Sequence, residues 1–389
     1  MPPDAGEFSG SGAGKSLRVL TPLHSFEPGG VERIAIRLHQ AWNDVGIDSH
    51  LIFGRVSGKM RAEFPTLRFH TLAPEWLATA RWETLWMILT LPRAIRQLRP
   101  DVIFCAGNTY AIVMVAMRLL LGRACPPILC KVSNDLYRRD LPPPARWLYH
   151  RWLKIQACYI DRFVALAPAM RPEIISLLRV DANKVDIIED PALTSRDVSR
   201  PLSIEPPGDE PGIRYLAIGR LVPQKNFRLL LRAFARARTP NDRLIVLGDG
   251  PERAALEALA DQLHVRDQLA FEGHVPDVKP YLARADRFVL SSDYEGVPAV
   301  VLEALAAGLP VVATDCCASM RGIVADTGFG IVVPVRDCDA LSDAMQAART
   351  IALDRSAVQN MLRRFTMAYA ASAYRGALSC AAHQRVRCP

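Results

Sequence analysis

Two patterns of apolar residues alternate along this chain. Short aliphatic runs, at 17–23 and then near Leu51, Val102, Ile128 and Phe163, are separated by stretches in which apolar positions return every three or four residues. The first pattern is that of a strand buried on both faces and the second that of an amphipathic helix, so their alternation predicts a parallel sheet covered by helices. The same alternation begins again with strands expected near Tyr215, Ile245, Leu269, Phe288, Val311 and Ile331. Between the two series, residues 191–212 hold five prolines and two glycines without apolar periodicity, which reads as a linker. Residues 1–16, rich in Gly, Ser and Pro, read as a mobile tail.

Length agrees with this division. A chain of 389 residues with 50% hydrophobic content is too long for one ordinary core and suits two. Its nine cysteines are odd in number and scattered, without paired Cys-x2-Cys spacing or neighbouring histidines for zinc, so a reducing, cytoplasmic setting is expected. The start lacks the basic and apolar segments of a secretory signal, and no run is long enough to span a bilayer. The net charge of +8 is uneven, with six of the eight net positive charges in residues 1–195. There, residues 76–99 and 146–154 combine arginines with five of the six tryptophans. Such segments are either helices with aromatic inner faces or a surface that settles on anionic lipid; the second reading places the protein peripherally on the inner face of the cell membrane. No nucleic-acid partner is expected.

The candidate chemistry lies in the second series. Arg220 and Lys225 follow the strand 213–218 in the run Gly219-Arg220-Leu221-Val222-Pro223-Gln224-Lys225. They occupy the carboxyl end of a parallel strand, where ligand crevices open, and two cations there can hold a diphosphate. The strand 287–290 leads to Glu295, and Pro298 is expected as the first residue of a helix that carries Glu303 on its second turn. Free N–H groups at that helix start suit phosphate oxygens, while two carboxylates suit sugar hydroxyls.

Five landmarks appear in order: the basic turn, Gly248-Asp249-Gly250, Phe271-Glu272-Gly273-His274-Val275, the Glu295-x7-Glu303 pair, and Ala307-Gly308-Leu309-Pro310. In this order they resemble the retaining glycosyltransferases of family 4, over most of residues 17–380. The resemblance implies an α/β protein of the GT-B type, two Rossmann-like domains facing each other across a cleft: an acceptor-side domain at 17–190, the linker at 191–212, a nucleotide-sugar domain at 213–364, and a helix within 365–389 that crosses back to the first domain. It further implies that Arg220 and Lys225 hold the donor diphosphate, that Glu295 with the backbone of Gly296, Val297 and Pro298 meets the transferred sugar, and that Glu303 binds the ribose. His274 and Val275 would lie by the base, Gly219 and Gly248 at the nucleotide turns, and Gly29 and Gly30 at a loop facing phosphates and acceptor.

Two departures stand out. Where many family members carry a sugar-contacting histidine, this chain reads Lys131-Val132-Ser133-Asn134-Asp135, leaving Asn134 or Ser133 for that contact, or His24 from the neighbouring loop. After Thr314, the run Asp315-Cys316-Cys317-Ala318-Ser319-Met320 lacks a glutamate that family members often have. Two other motifs are rejected. The run from Ser9 to Ser16 imitates a P-loop without its first glycine or a preceding strand, and Asp337-Cys338-Asp339 imitates a metal motif but precedes a helix as a cap would.

The expected function is transfer of a hexose or N-acetylhexosamine from a nucleoside-diphosphate sugar to a glycan or lipid-linked acceptor with retained configuration, without metal or cofactor. The alternatives are a GT-B sugar-nucleotide epimerase, for which ring acid and base groups are not evident, and an inactive membrane-surface scaffold, against which the intact Arg220, Lys225, Glu295 and Glu303 speak.

Overall fold

The computed structural model describes residues 16–27, 29–73, 82–133, 136–138, 141–199 and 212–383. The expected amino-terminal tail up to residue 15, Trp76, Asn134, Asp135, residues 200–211 of the expected linker, and the last six residues lie outside them.

Two parallel sheets carry the chain. β1 (Arg18–Leu23), β2 (Asp48–Phe53), β3 (His70–Thr71), β4 (Val102–Cys105), β5 (Ile128–Val132), β6 (Arg162–Ala165) and β7 (Val185–Ile187) form the first, in the order β3-β2-β1-β4-β5-β6-β7. β8 (Arg214–Ile218), β9 (Arg243–Leu247), β10 (Leu269–Gly273), β11 (Arg287–Leu290), β12 (Val311–Thr314) and β13 (Gly330–Val333) form the second, in the order β10-β9-β8-β11-β12-β13. In each sheet the chain first moves outward on one side and then returns to the other. The strand order therefore reverses between β1 and β4 and between β8 and β11, which opens a crevice at the carboxyl ends of those strands.

Burial explains the composition of the strands. β4, β5, β6 and β12 are buried at every position, so they read as continuous aliphatic runs rather than as alternation. Two cations sit inside them: Lys131 in β5, paired with Asp190 at 2.7 Å, and Arg162 in β6, paired with Asp186 at 2.8 Å. A charge taken out of water needs such a partner. The first core is centred on Trp42, Phe104 and Tyr374, whose rings meet edge to face at 5.2 to 5.8 Å. Tyr374 arrives from far along the chain. It belongs to the helix Met367–His383, which also buries Ala370, Ala371, Leu378 and Ala381 in that core. The chain passes between the sheets twice, and the two passages are hydrogen-bonded, Leu193 N–H to the Phe365 carbonyl and Met367 N–H to the Leu193 carbonyl, both at 3.1 Å.

Several local expectations change. β3 and β7 fall outside the expected strands; β3 is two residues long with both side chains exposed, so it has no apolar signal, and β7 is only three residues, Val-Asp-Ile, too short for its alternation to stand out. Residues Ser195–Ser199 of the expected linker form a short helix. The closing helix starts at Met367, because Phe365 turns into the second core. Pro298 is the cap rather than the first residue of its helix, which spans Ala299–Ala306: its ψ of 101° is extended, and its carbonyl accepts the first helical N–H, from Val301, at 3.0 Å.

Candidate active site

β8 and β11 end side by side, and the loops that leave them are tied together. The Gly219 N–H donates to the Leu247 carbonyl at 2.9 Å. Gly248, at φ 135°, faces Gly219 so closely that a Cβ would lie 1.9 Å from the Gly219 carbonyl oxygen, which restricts this turn to glycine. Lys225 closes a single 3-10 turn that starts at Pro223, and the next residue, Asn226, takes a left-handed conformation and caps the helix Phe227–Ala237 by accepting the Leu229 N–H at 3.2 Å. From the β11 side, Ser291 Oγ donates to the Lys225 carbonyl at 2.9 Å, Asp293 N–H donates to the Gln224 carbonyl at 2.8 Å, and Asn226 Nδ2 donates to Asp293 Oδ1 at 2.8 Å. Arg336 pairs with the same Asp293 at 2.7 Å.

These ties place Lys225 Nζ 2.5 Å from Glu295 Oε1, which also accepts from Ser292 Oγ at 2.7 Å. The Glu295 N–H is held by the Cys316 carbonyl at 2.9 Å. Arg220 stays exposed, without a partner among the described residues. Glu303 is partly buried, and that burial, with the charge of Asp197 as the next contribution, raises its carboxyl above the ordinary range; Lys279 and Arg37 pull the other way. Arg37 belongs to the helix Gly30–Asp44 of the first domain, so the two domains influence each other electrostatically across the crevice. His274 is exposed, while Val275 packs against the second core.

The opposing wall comes from the ends of β1, β4 and β5. A Cβ on Gly29 would strike Glu32 Oε2 at 2.0 Å, whereas one on Gly30 would meet nothing within 4 Å. Ser133 N–H donates to Asn108 Oδ1 at 3.0 Å. The Ser133 carbonyl oxygen lies 3.8 Å from where a Gly296 Cβ would be, so the Glu295 loop reaches the first domain. Next to it is a group the sequence reading did not assemble: Tyr110 donates to Glu32 Oε1 at 2.7 Å, and the His24 ring packs on the Tyr110 ring at 4.6 Å. Burial and the adjacent Glu32 hold the Tyr110 phenol well above its ordinary pKa, and burial pushes the His24 imidazole down. The Gly29-Gly30-x-Glu32 spacing was the available signal for Glu32; nothing local marks Tyr110, 78 residues away.

The two halves match separate family descriptions, Glycosyltransferase Family 4 over residues 28–192 and Glycosyl transferases group 1 over residues 204–360. A lipopolysaccharide core biosynthesis glycosyltransferase of Rhizobium meliloti (strain 1021), LpsD, is 37% identical over 299 residues, covering 75% of this chain and 77% of that protein. The chain belongs to the group 1 glycosyltransferases. With LpsE of the same organism and with an N-acetylgalactosaminyltransferase of Campylobacter jejuni the matched lengths are shorter, 41% and 42% of those proteins. Among solved structures, the galactosyltransferase WaaB in its apo form aligns over 93% of this chain and 99% of its own with a TM-score of 0.76 at 16% identity, and Anabaena HepE in complex with UDP aligns over 94% and 100% with a TM-score of 0.71, also at 16%. This glycosyltransferase therefore has the GT-B architecture its motifs implied, two Rossmann-like domains across a crevice.

One further surface is unusual for this glycosyltransferase. The helices Glu83–Leu98, Ala111–Leu121 and Pro143–Tyr159 pack side by side on the first domain and leave Leu89, Leu119, Trp147 and Leu148 each 63 to 65% exposed. Trp82 is 39% exposed and meets Trp86 edge to face at 5.3 Å. Arg93, Arg96 and Arg99 are exposed beside them. A core role does not account for Trp147 or Trp82. Among the described residues no helix is long and apolar enough to cross a membrane.

Proposed function

We propose that this protein transfers a hexose or N-acetylhexosamine, with retention, from a nucleoside-diphosphate sugar to a glycan or lipid-linked acceptor in cell-surface polysaccharide synthesis. The part that LpsD and LpsE play in lipopolysaccharide core biosynthesis, and the UDP complex of HepE, support the substrate class. The observation that carries the reading is the Lys225–Glu295 ion pair, which joins the loops at the carboxyl ends of β8 and β11, with Arg220 exposed in the same turn after β8. A donor diphosphate is a better partner for Lys225 than a carboxylate, because it accepts from Lys225 and Arg220 together. Its arrival releases Glu295, whose oxygens then take hydroxyls of the sugar. Fixed cations at the leaving diphosphate stabilise the charge that develops there. The departing phosphate then accepts the proton of the attacking hydroxyl on the same face of the sugar, which retains configuration. Gly219, Gly248, His274 and Val275 line the nucleotide side in this assignment, Glu303 takes the ribose hydroxyls, and Gly29 and Gly30 face the phosphates and the acceptor.

No metal is assigned to the reaction, because the one Asp-x-Asp pair is otherwise engaged: Asp337 caps the helix Cys338–Ala347 by accepting the Ala340 N–H at 2.9 Å, and Asp339 pairs with Arg236. The exposed apolar and basic face of the first domain is assigned to an anionic membrane surface, which puts the protein peripherally on the cytoplasmic face. A panel of nucleotide sugars tested for transfer to lipid-diphosphate acceptors checks the whole reading; absence of turnover and of nucleotide binding with every donor overturns it.

A further inference from the structure

The outer edge of the first sheet holds a cleft that the proposed function does not use. β3 pairs with β2 only at Ile52 and Phe53, so the amino half of β2 has no strand on its outer side. A cleft of about 530 Å³ lies there, and its polar lining consists of His39, Asn43, Ser49, His50, Arg68 and His70. No carboxylate lines it. Asp48, which approaches His50 Nε2 at 3.0 Å, is itself paired with Arg18 at 2.7 Å. The hydrogen bonds of the inner wall fix their own polarity. The Ser49 N–H can only donate, and it donates to Asn43 Oδ1 at 3.1 Å, which leaves Asn43 Nδ2 as the atom 3.3 Å from His39 Nε2. His39 Nε2 therefore accepts, its proton sits on Nδ1, and Nδ1–H donates to Ser49 Oγ at 2.9 Å. The ring stays neutral, as burial requires, with its pKa lowered to about 4. The Ser49 hydroxyl hydrogen and the second Nδ2 hydrogen of Asn43 have no acceptor in this network. On the outer wall, His50 Nδ1 lies 3.3 Å from His70 Nε2, and Arg68 is exposed with no carboxylate partner among the described residues.

We propose that this cleft binds a small organic phosphate, with Arg68, His50 and His70 supplying positive charge to the phosphate group and Ser49 and Asn43 supplying neutral donors. A surface that offers donors without a carboxylate suits an anion, and the phosphate's charge draws a proton onto the His50–His70 pair. The volume is that of a small-molecule site rather than of a lone ion, and Leu51 and Phe69 complete the lining, so the phosphate carries an organic body. The site stands apart from the donor crevice, which opens at the carboxyl ends of β1, β4, β8 and β11, and it does not depend on the function proposed above.

Calorimetric titration with glucose 1-phosphate tests this, with glucose and inorganic phosphate as the two halves of the probe. The ester should bind, inorganic phosphate should bind severalfold more weakly, and glucose should not bind. Arg68→Ala combined with His70→Ala, both at exposed positions, should weaken the ester at least about tenfold, the effect of losing one hydrogen bond to a charged group, and should leave the melting temperature unchanged. Arg68→Lys should keep part of the affinity. Burial and the neighbouring His50 hold the His70 imidazole below its ordinary pKa, so in proton NMR its titration should move to higher pH with the ester, while exposed His264 and His383 stay where they are. Saturating UDP should leave these results unchanged. Displacement of the ester by UDP would put it in the donor crevice and overturn the proposal. So would undiminished ester affinity in the double variant, equal affinity for inorganic phosphate, or no binding of the ester by folded wild-type protein.

Discussion

Lys225 Nζ and Glu295 Oε1 lie 2.5 Å apart, although 70 residues separate them in sequence. The cation assigned to the donor diphosphate and the carboxylate assigned to its sugar thus hold each other. Their side chains are 19% and 11% exposed, so removing one leaves the other largely desolvated and without its counter-charge.

Arg220 and Lys225 should therefore separate in a way that a simple charge count does not anticipate. Either change to Ala should lower kcat/KM by about 2 to 4 kcal/mol of transition-state stabilisation. Only Lys225→Ala should also lower thermal stability, by about 1 to 3 kcal/mol. Near-normal turnover in both folded variants would remove them from the donor site.

Glu303 gives a pH signature. Its folded-state pKa is raised above the ordinary 4.5 by burial, so the native state holds this proton to higher pH than the unfolded chain does. Its contribution to stability is consequently complete below 4.5 and is lost as pH rises through the raised value. Glu303→Gln removes that loss and should melt no lower than wild type at pH 7. Nucleotide affinity runs the other way: in wild type it should rise as the carboxylate forms, and in the variant it should be weaker and flat across the same range. Calorimetric titrations over pH 4.5 to 8 compare the two, and a parallel pH dependence would withdraw Glu303 from ribose binding.

Gly248→Ala sets a methyl group against the Gly219 carbonyl and at the same time requires a positive φ. Destabilisation of more than about 1 kcal/mol is expected, with weaker nucleotide binding because the two strand-end turns move apart. Denaturant unfolding measures the first effect. An unchanged midpoint would mean that the contact relaxes at no cost.

Activity should survive exhaustive chelation, since Asp337 and Asp339 serve the helix they begin and Arg236. Strict loss that is reversed by manganese or magnesium would place a metal at the diphosphate.

On vesicles, Trp82→Ser with Trp147→Ser should weaken the part of binding that resists salt, and glutamine at Arg93, Arg96 and Arg99 should weaken the part that salt screens over about 10 Å at 0.1 M. Co-sedimentation at two ionic strengths resolves them. A large drop in melting temperature for the double tryptophan variant, with vesicle binding unchanged, would return these rings to a packing role.

The sequence carried the frame of the fold because strands such as β4, β5 and β12, buried on both faces, must be written in aliphatic residues. It also placed Lys225 and Glu295 at the ends of two strands, because each stands at a fixed spacing from one, and those strand ends bring the two side chains together. What it did not carry depends on chain folding over long intervals. The Asn226–Asp293–Arg336 cluster joins three loops, Tyr110 finds Glu32 only when β1 and β4 become neighbours, and the buried Lys131 reads as an error in its strand until Asp190 is placed beside it. Two-residue β3 has no pattern of its own; it exists because β2 offers an edge.

The helix Met367–His383 has a consequence for the order of events during synthesis. Domains usually fold in turn as they emerge from the ribosome, but Tyr374, Ala377 and Leu378 complete the core of the first domain. That core stays unfinished until the whole second domain has been translated. A fragment ending at the passage near Leu193 would expose the apolar face that this helix covers, so the amino-terminal domain is, in terms of folding, the last part of the molecule to be completed.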